Sequence, residues 1–326
     1  MDRQQYIQLR KKFNLDIKPG KVIFHYLQDA VLMTVGLGLF YGAGDSLTRF
    51  FAIPIFSILM FRNFSLMHDA VHSCISENKK INDSIGIISG AFSLLPFDQW
   101  KAIHLQHHYW SGNIEKDPVM ALVRTFPQWT QSMRSAVSFF WRIWVPAVAF
   151  LQYGVFWFHC SLGFFRKPFT VKEVLSFLSP ALLIVATSIL APSFAITILL
   201  PALYLYLVAV EVVNLPHHLG LPQYFGETKL PVWEQFKIAR SCLYPRWVAR
   251  FIALNFNYHI EHHMFPDAPW YYLDEIHTEL KAQLQDQYNT DPQFEWILKN
   301  RPKDMEQLLI KDSQEYSQKQ NNKAAS

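Results

Sequence analysis

Charge is scarce in this chain. Asp, Glu, Lys and Arg make up 17% of its 326 residues, where about 25% is ordinary for a soluble domain, while 51% are hydrophobic and 16% aromatic. This excludes a solvated, disordered polypeptide and points to a membrane. The formal net charge is only +4 and the basic residues are scattered. No basic stripe of the kind that binds nucleic acid is formed, so nucleic acid is not an expected partner.

Thiol chemistry is missing as well. Cys74, Cys160 and Cys242 are the only cysteines and none forms a CxxC pair, which excludes a disulfide framework and a thiolate zinc site. A metal in this protein must be held by nitrogen or oxygen. No Gly/Ser- or Pro-rich linker divides the sequence, which predicts one catalytic domain with polar ends. The expected organisation is a basic cytoplasmic segment over residues 1–25, a membrane domain over 26–290 and a polar tail over 291–326. The last twenty or so residues, rich in Lys, Gln, Asn and Ser, read as disordered.

Apolar runs fall at Tyr26 to Tyr41, Leu47 to Phe64, Ile85 to Phe97, Val137 to Phe165, Val174 to Ala191 and Phe194 to Val213. A bilayer core about 30 Å thick needs about 20 helical residues, so the run from Ile85 is too short to cross comfortably. Arg10, Lys11, Lys12, Lys18 and Lys21 precede the first run and favour a cytoplasmic N-terminus. Too many polar residues precede that run for a cleaved secretory signal. The first two long runs and the last two read as helical hairpins. For all the histidines to share one face, Val137 to Phe165 must then lie in the plane or re-enter. Arg142, Pro146, Trp141, Trp144 and Trp157 within it agree with that. The alternative, a genuine crossing, would separate His217 and His218 from His68. Glu234 to Phe256 reads as amphipathic and interfacial, and Leu273 to Gln285 as a surface helix. The fold class expected is an all-α integral membrane protein with four transmembrane helices plus interfacial helices.

What is abundant is histidine. Ten of the thirteen histidines sit in four clusters: HDAVH at His68 and His72, HLQHH at His104, His107 and His108, NLPHH at His217 and His218, and HIEHH at His259, His262 and His263. Spacings of three and four place side chains on one face of a helix, and imidazole is a common nitrogen ligand for transition metals. Asn214 and His218 are again four apart, while His217 points about 100° from its neighbour, so His218 is the expected ligand. Two ligands from the first box, three from each HxxHH box and His218 make nine. That is too many for one metal and suits two, with Asn214 able to hold a water. No ExxH pair of a carboxylate-bridged bundle occurs, and an all-histidine dinuclear site in a lipid-facing protein best matches iron used to activate oxygen. Asp69, Asp117 and Glu261 are candidates to orient the imidazoles, against the plainer reading of exposed carboxylates near helix ends. His25, His159 and His277 stand alone and read as packing or surface residues.

With these boxes in place, the sequence resembles the membrane fatty acid desaturase and hydroxylase superfamily. HxxxH, HxxHH and a distal HxxHH occur in its order and spacing, NYHIEHHMFP is typical of its third box, and the Asn-xxx-His element matches Asn214 and His218. The resemblance covers roughly Tyr26 to Leu273. It implies four transmembrane helices carrying a cytoplasmic helical cap, with a di-iron centre on the cytoplasmic face held by the nine histidines and Asn214. His217 is an addition to the pattern. The implied chemistry is an O2-dependent removal of hydrogens from an unactivated acyl chain, forming a C=C bond. No HPGG element of a fused cytochrome b5 domain is present, so the resemblance implies a separate electron donor of ferredoxin or cytochrome b5 type. His259 stands where front-end desaturases have glutamine, which argues against that subgroup. Trp110 and the aromatics near Trp270 either line a substrate tunnel or anchor at the interface. Within the superfamily the alternatives are a carotenoid ketolase or hydroxylase, or a lipid hydroxylase. From another class come a metal transporter and a non-catalytic haem protein. A transporter would carry its ligands near the bilayer midplane, whereas these boxes lie beyond or between the spans.

Overall fold

A computed structural model of the chain describes residues 1–164 and 170–315. Phe165, at the end of the fourth apolar run, and residues 316–326 of the expected tail lie outside the described residues.

The amphipathic helix Arg3–Arg10 (α1) opens the chain, its Asp2 and Gln5 forming a reciprocal capping box. It is not free: Tyr6 donates to the Met264 carbonyl at 2.7 Å, and Leu9 packs with Ile260 and Phe265. Pro19 starts the helix Pro19–Gly42 (α2), where its missing N–H costs nothing. Asp45 caps the return helix Ser46–Val71 (α3) through the Thr48 amide at 2.8 Å. Lys79–Phe92 (α4) and Phe97–Trp110 (α5) follow, each 14 residues long. Gly86 lets α4 close on α5, because a Cβ there would sit 2.3 Å from the Phe97 ring.

Gln131–Arg142 (α6) and Ala147–Phe164 (α7) occupy the fourth run and bend by 118° at their junction. The bend has identifiable causes. Trp144 adopts φ 66°, Pro146 follows, and the buried Glu211 carboxylate accepts from the Val148 and Ala149 amides at 2.9 and 3.1 Å. A carboxylate at a helix N-terminus satisfies orphan donors and complements the dipole. Val171–Leu190 (α8) carries a Thr170–Glu173 capping box, and Ala191 breaks the chain before Pro192–His218 (α9). Among the described residues four helices, α2, α3, α8 and α9, are long and apolar enough to cross a membrane, and the α6–α7 pair makes a fifth only if counted as one span.

Three expectations need correction. The fold is not purely helical: Ser241–Leu243 (β1) pairs in parallel with Thr290–Pro292 (β2). Glu234 to Phe256, read as amphipathic and interfacial, is broken into a 3₁₀ turn, β1 and a π-helical turn at Val248–Ile252. Phe236, Ser241, Cys242 and Ala249 within it are buried, and its 3₁₀ turn and β1 pack against the helix that carries the third histidine box.

Nor does the C-terminal segment behave as a solvated tail up to its last described residue, 315. After the short third-box helix His259–Met264 (α10) and the surface helix Leu273–Leu284 (α11), Gln293–Asn300 (α12) packs Trp296 and Ile297 with Trp141 and Leu215. Met305, Leu308 and Leu309 join the same core. Gln293 also donates to the Val212 carbonyl at 2.6 Å. That carbonyl loses its helical partner because Pro216, four residues on, has no N–H.

Candidate metal centre

The histidines come from four helix ends. His68 and His72 close α3, the HLQHH box lies on α5, His218 ends α9 and α10 is the HIEHH box itself. Helix geometry gives residues four apart, His104 with His108 and His259 with His263, a common direction and turns the third histidine of each box away. Tertiary packing then divides them into two groups among the described residues: His68, His72, His104, His108 and His262 in one, and His107, His218, His259 and His263 in the other. Within each group one nitrogen per ring lies within 4.8 Å of all the others. The nine rings are the nine read from the sequence.

The donor chemistry fits a cation. In the second group, Nδ1 of His107 meets Asp117 at 2.9 Å, Nδ1 of His218 meets the Ile238 carbonyl at 2.9 Å, and Nδ1 of His263 meets the Gln235 amide oxygen at 2.9 Å. Each of these contacts places the ring proton on Nδ1, leaving an Nε2 lone pair directed inward. Nε2 of His259 meets Nε2 of both His218 and His263, at 2.9 and 3.0 Å. In the first group, Nε2 of His104 faces Nε2 of His72 at 2.9 Å and of His108 at 3.0 Å, while Nε2 of His68 is buried with no partner. One imidazole proton cannot satisfy so many converging nitrogens, and buried polar atoms left unpaired are costly. Burial first, then the neighbouring histidines, hold His104, His108, His262 and His263 well below the ordinary imidazole value. They are therefore neutral and available as ligands.

The three carboxylates behave differently from one another. Asp117 is fully buried and receives His107, the Gly112 amide and the Val119 amide. Burial alone would push its carboxyl up, but its contact with His107 and the hydrogen bond from the Val119 amide bring it below the usual carboxylate value. Asp69 lies 3.7 Å from Nδ1 of His68 and accepts the Trp270 amide at 2.8 Å, joining the first box to the chain after the third. Glu261 touches no histidine of either group. It accepts from Ser241 at 2.5 Å, Tyr288 and His277, and so fixes α10 to β1 and α11.

His277, expected to stand alone, thus belongs to the Glu261 network. His25 is buried too, beside the Arg62 and Asp29 pair of α2 and α3, and His159 is exposed. His218, not His217, joins the second group; His217 stacks on His259 with ring centres 4.1 Å apart and, among the described residues, has no hydrogen-bond partner on either nitrogen. Asn214 lies beside His218 on the wall of a cavity of about 50 Å³, with Gln152 and Glu211.

Two side chains near the site were not anticipated. Gln235 holds His263, and its amide group donates to the His108 carbonyl at 3.0 Å. Arg240 caps the end of α9, donating to the carbonyls of Pro216, His217 and Leu219 at 2.6 to 2.9 Å. A cation at a helix C-terminus satisfies carbonyls the helix leaves free.

The sequence profile described as fatty acid desaturase matches residues 14–294. The chloroplastic omega-3 fatty acid desaturase of Ricinus communis is 24% identical over 254 residues, covering 70% of this chain and 52% of the relative. The sn-1 oleoyl-lipid 12-desaturase of Synechocystis sp. is 27% identical over 238 residues, covering 67% and 64%. The sn-1 acyl-lipid omega-3 desaturase (ferredoxin) of Nostoc sp. is 31% identical over 101 residues, covering 30% and 27%. These matches span between 27% and 64% of the relatives' own length. With its profile matched over most of the sequence, this chain belongs to the fatty acid desaturase family.

Proposed function

We propose that the protein is an O2-dependent desaturase that introduces a C=C bond into the acyl chain of a membrane lipid, using two irons. The observation that carries this reading is the sorting of nine buried or half-buried histidines into groups of five and four. His68, His72, His104, His108 and His262 would hold one iron. His107, His218, His259 and His263 would hold the other, with Asn214 offering its amide to a water. When bound, the iron pair supplies the oxidising power of dioxygen needed to break unactivated C–H bonds.

The balance is simple. Two hydrogens leave adjacent carbons of the chain, a separate donor supplies two electrons, and with two protons from solvent dioxygen becomes two waters. The chain's own residues hold and enclose this chemistry. Asp117, Gln235 and the Ile238 carbonyl keep three Nδ1 protons in place and so fix the tautomers of His107, His263 and His218. Asp69 keeps the first box in register with the segment after the third. Phe64, Trp100 and Phe256 pack around His68 and exclude water from that side.

In this reading α2, α3, α8 and α9 cross the membrane, α6 and α7 re-enter, and the histidines face the cytoplasm. The name of the Nostoc relative supports a ferredoxin-type donor, and the names of two relatives support an acyl-lipid substrate. The test is expression in a desaturase-deficient host, with lipid mass spectrometry and iron analysis. New double bonds and about two irons per chain without a haem absorption band are expected. Unchanged acyl chains beside modified carotenoid in a β-carotene-producing host would replace this reading with a ketolase or hydroxylase. Zero or one iron would sink the two-iron site.

A further inference from the structure

The cavity of about 50 Å³ that His218 borders is too small for an acyl chain, because sites for small organic molecules enclose roughly 300–1,000 Å³. It has room for a guest of two or three atoms, since about 10–15 Å³ accommodates one water. Most of its wall is hydrocarbon. Met120, Val123, Leu215, Leu219 and Leu309 are buried side chains that reach it from the segment after the second box, the end of α9 and the C-terminal segment. Val119 and Gln152, which border it too, are exposed, so the cavity reaches the surface there.

The polar side chains of the inner wall already have backbone partners. Asn214 donates to the Val210 carbonyl at 2.8 Å, Glu211 accepts the Val148 and Ala149 amides, and Nδ1 of His218 meets the Ile238 carbonyl. A water held in such a space needs two to four polar partners, whereas apolar cavities stay dry and take apolar guests such as xenon. Beyond the water that the Asn214 amide would hold, this wall favours an apolar guest. Its position is fixed by the metal centre's own framework. Asp117 meets Nδ1 of His107 and also accepts the Val119 amide at 2.9 Å, so the mouth is tied to one ring of the second group while His218 of that group completes the wall. The second group offers four rings where the first offers five. A metal held by it keeps more of its coordination for small ligands.

Resting on the desaturase reading, we propose that this cavity is a dioxygen site, through which the gas reaches the second histidine group. Dioxygen is apolar, and its transfer from water into a hydrocarbon-lined space is favourable. It enters at Val119 and Gln152 and lodges against Val123, Leu219 and Leu309, beside His218. Because the cavity cannot admit an acyl chain, a bound chain does not occupy the gas route.

The test uses the purified full-length protein, with metal content measured in each preparation, and has two readouts. The first is independent of activity: crystals pressurised with xenon are expected to show one xenon among Val123, Leu219 and Leu309. The second is the dependence of turnover on dioxygen concentration. Val123→Phe places a ring in the cavity, and is expected to lose the xenon and to raise the KM for dioxygen several-fold. Its kcat at saturating dioxygen, iron content and product chain length stay at the wild-type values, the pattern of a lost binding step. If Val123→Phe does not fold, Val119→Phe narrows the exposed mouth without burdening the core and raises the same KM. No xenon in the wild type, ordered waters filling the cavity, or an unchanged KM for dioxygen in the folded variants overturns the site. A shift in product length or double-bond position overturns it as well, because the cavity would then belong to the acyl chain. Absence of new double bonds in the wild type overturns the desaturase reading instead, and xenon occupancy still decides whether the cavity takes an apolar gas.

Discussion

The Asp117 carboxylate, with no exposed surface, sits 2.9 Å from Nδ1 of His107 and also gathers the amides of Gly112 and Val119. One side chain therefore shapes the turn after the second box and fixes which nitrogen of His107 faces the second group. Asp117→Ala removes both functions. Loss of a partner of this kind typically costs about 10- to 100-fold in metal affinity. Iron titration of the purified variant is expected to show that loss at one of two sites, and unchanged affinity at both would contradict the assignment.

Gln235 performs the same service for His263 with a neutral amide, accepting Nδ1–H at 2.9 Å. Gln235→Glu keeps an acceptor and should retain iron. Gln235→Leu has none, and should fall toward one iron per chain with turnover lost, as read by metal analysis alongside product yield.

These two partners mark where the sequence was legible. The spacing of HxxxH and HxxHH fixes side-chain direction through the helix period, so eight of the nine convergent histidines could be named in advance; His218 follows from its spacing to Asn214, and Asp117 from its closeness to the second box. Gln235, the Ile238 carbonyl and Arg240 carried no such signal. They lie in a segment broken into a 3₁₀ turn, a short strand and a π-helical turn, with no single period to read, and a backbone carbonyl has no residue type to betray it. Glu261 misled for a related reason: its place inside the HIEHH box brings it near the ligands in sequence, but it projects to Ser241, Tyr288 and His277. The long apolar helices were legible because apolar length is a local property. The bend between α6 and α7 depends on Glu211, more than sixty residues away in sequence.

The grouping separates two histidines with the same side chain and opposite surroundings. His262 is buried within the first group, its Nε2 at 2.8 Å from that of His108, whereas His159 is exposed and bonds to the Val155 carbonyl of its own helix. His262→Ala is expected to abolish turnover and His159→Ala to leave it near wild type, measured as double bonds formed per protein in the expressing host. Equal tolerance of both would remove the basis for the ligand assignment.

Arg62 is fully buried between α2 and α3 and pairs with Asp29, while also donating to the Phe251 carbonyl ahead of the third box. Arg62→Met leaves the Asp29 carboxylate buried without its cation, a change that typically costs about 3–5 kcal/mol. Removing both charges with Arg62→Met and Asp29→Leu should restore most of that loss. Thermal unfolding in detergent is the measurement, and a single variant as stable as the double would contradict the pairing.

Trp296 tests the corrected end of the chain. It is 6% exposed and packs with Trp141, Leu215 and Met305, so it joins α6, α9 and the segment beyond α12. Truncation of such a ring to alanine usually costs about 3–5 kcal/mol. Because α9 ends in His218, and Gln293 on the same short helix holds the carbonyl that Pro216 frees, the loss should reach the metal centre as well as the global fold. Trp296→Ala is expected to lower the unfolding temperature and to release iron before the protein unfolds. A solvated tail would do neither, and a variant with wild-type stability and iron content would return this segment to that description.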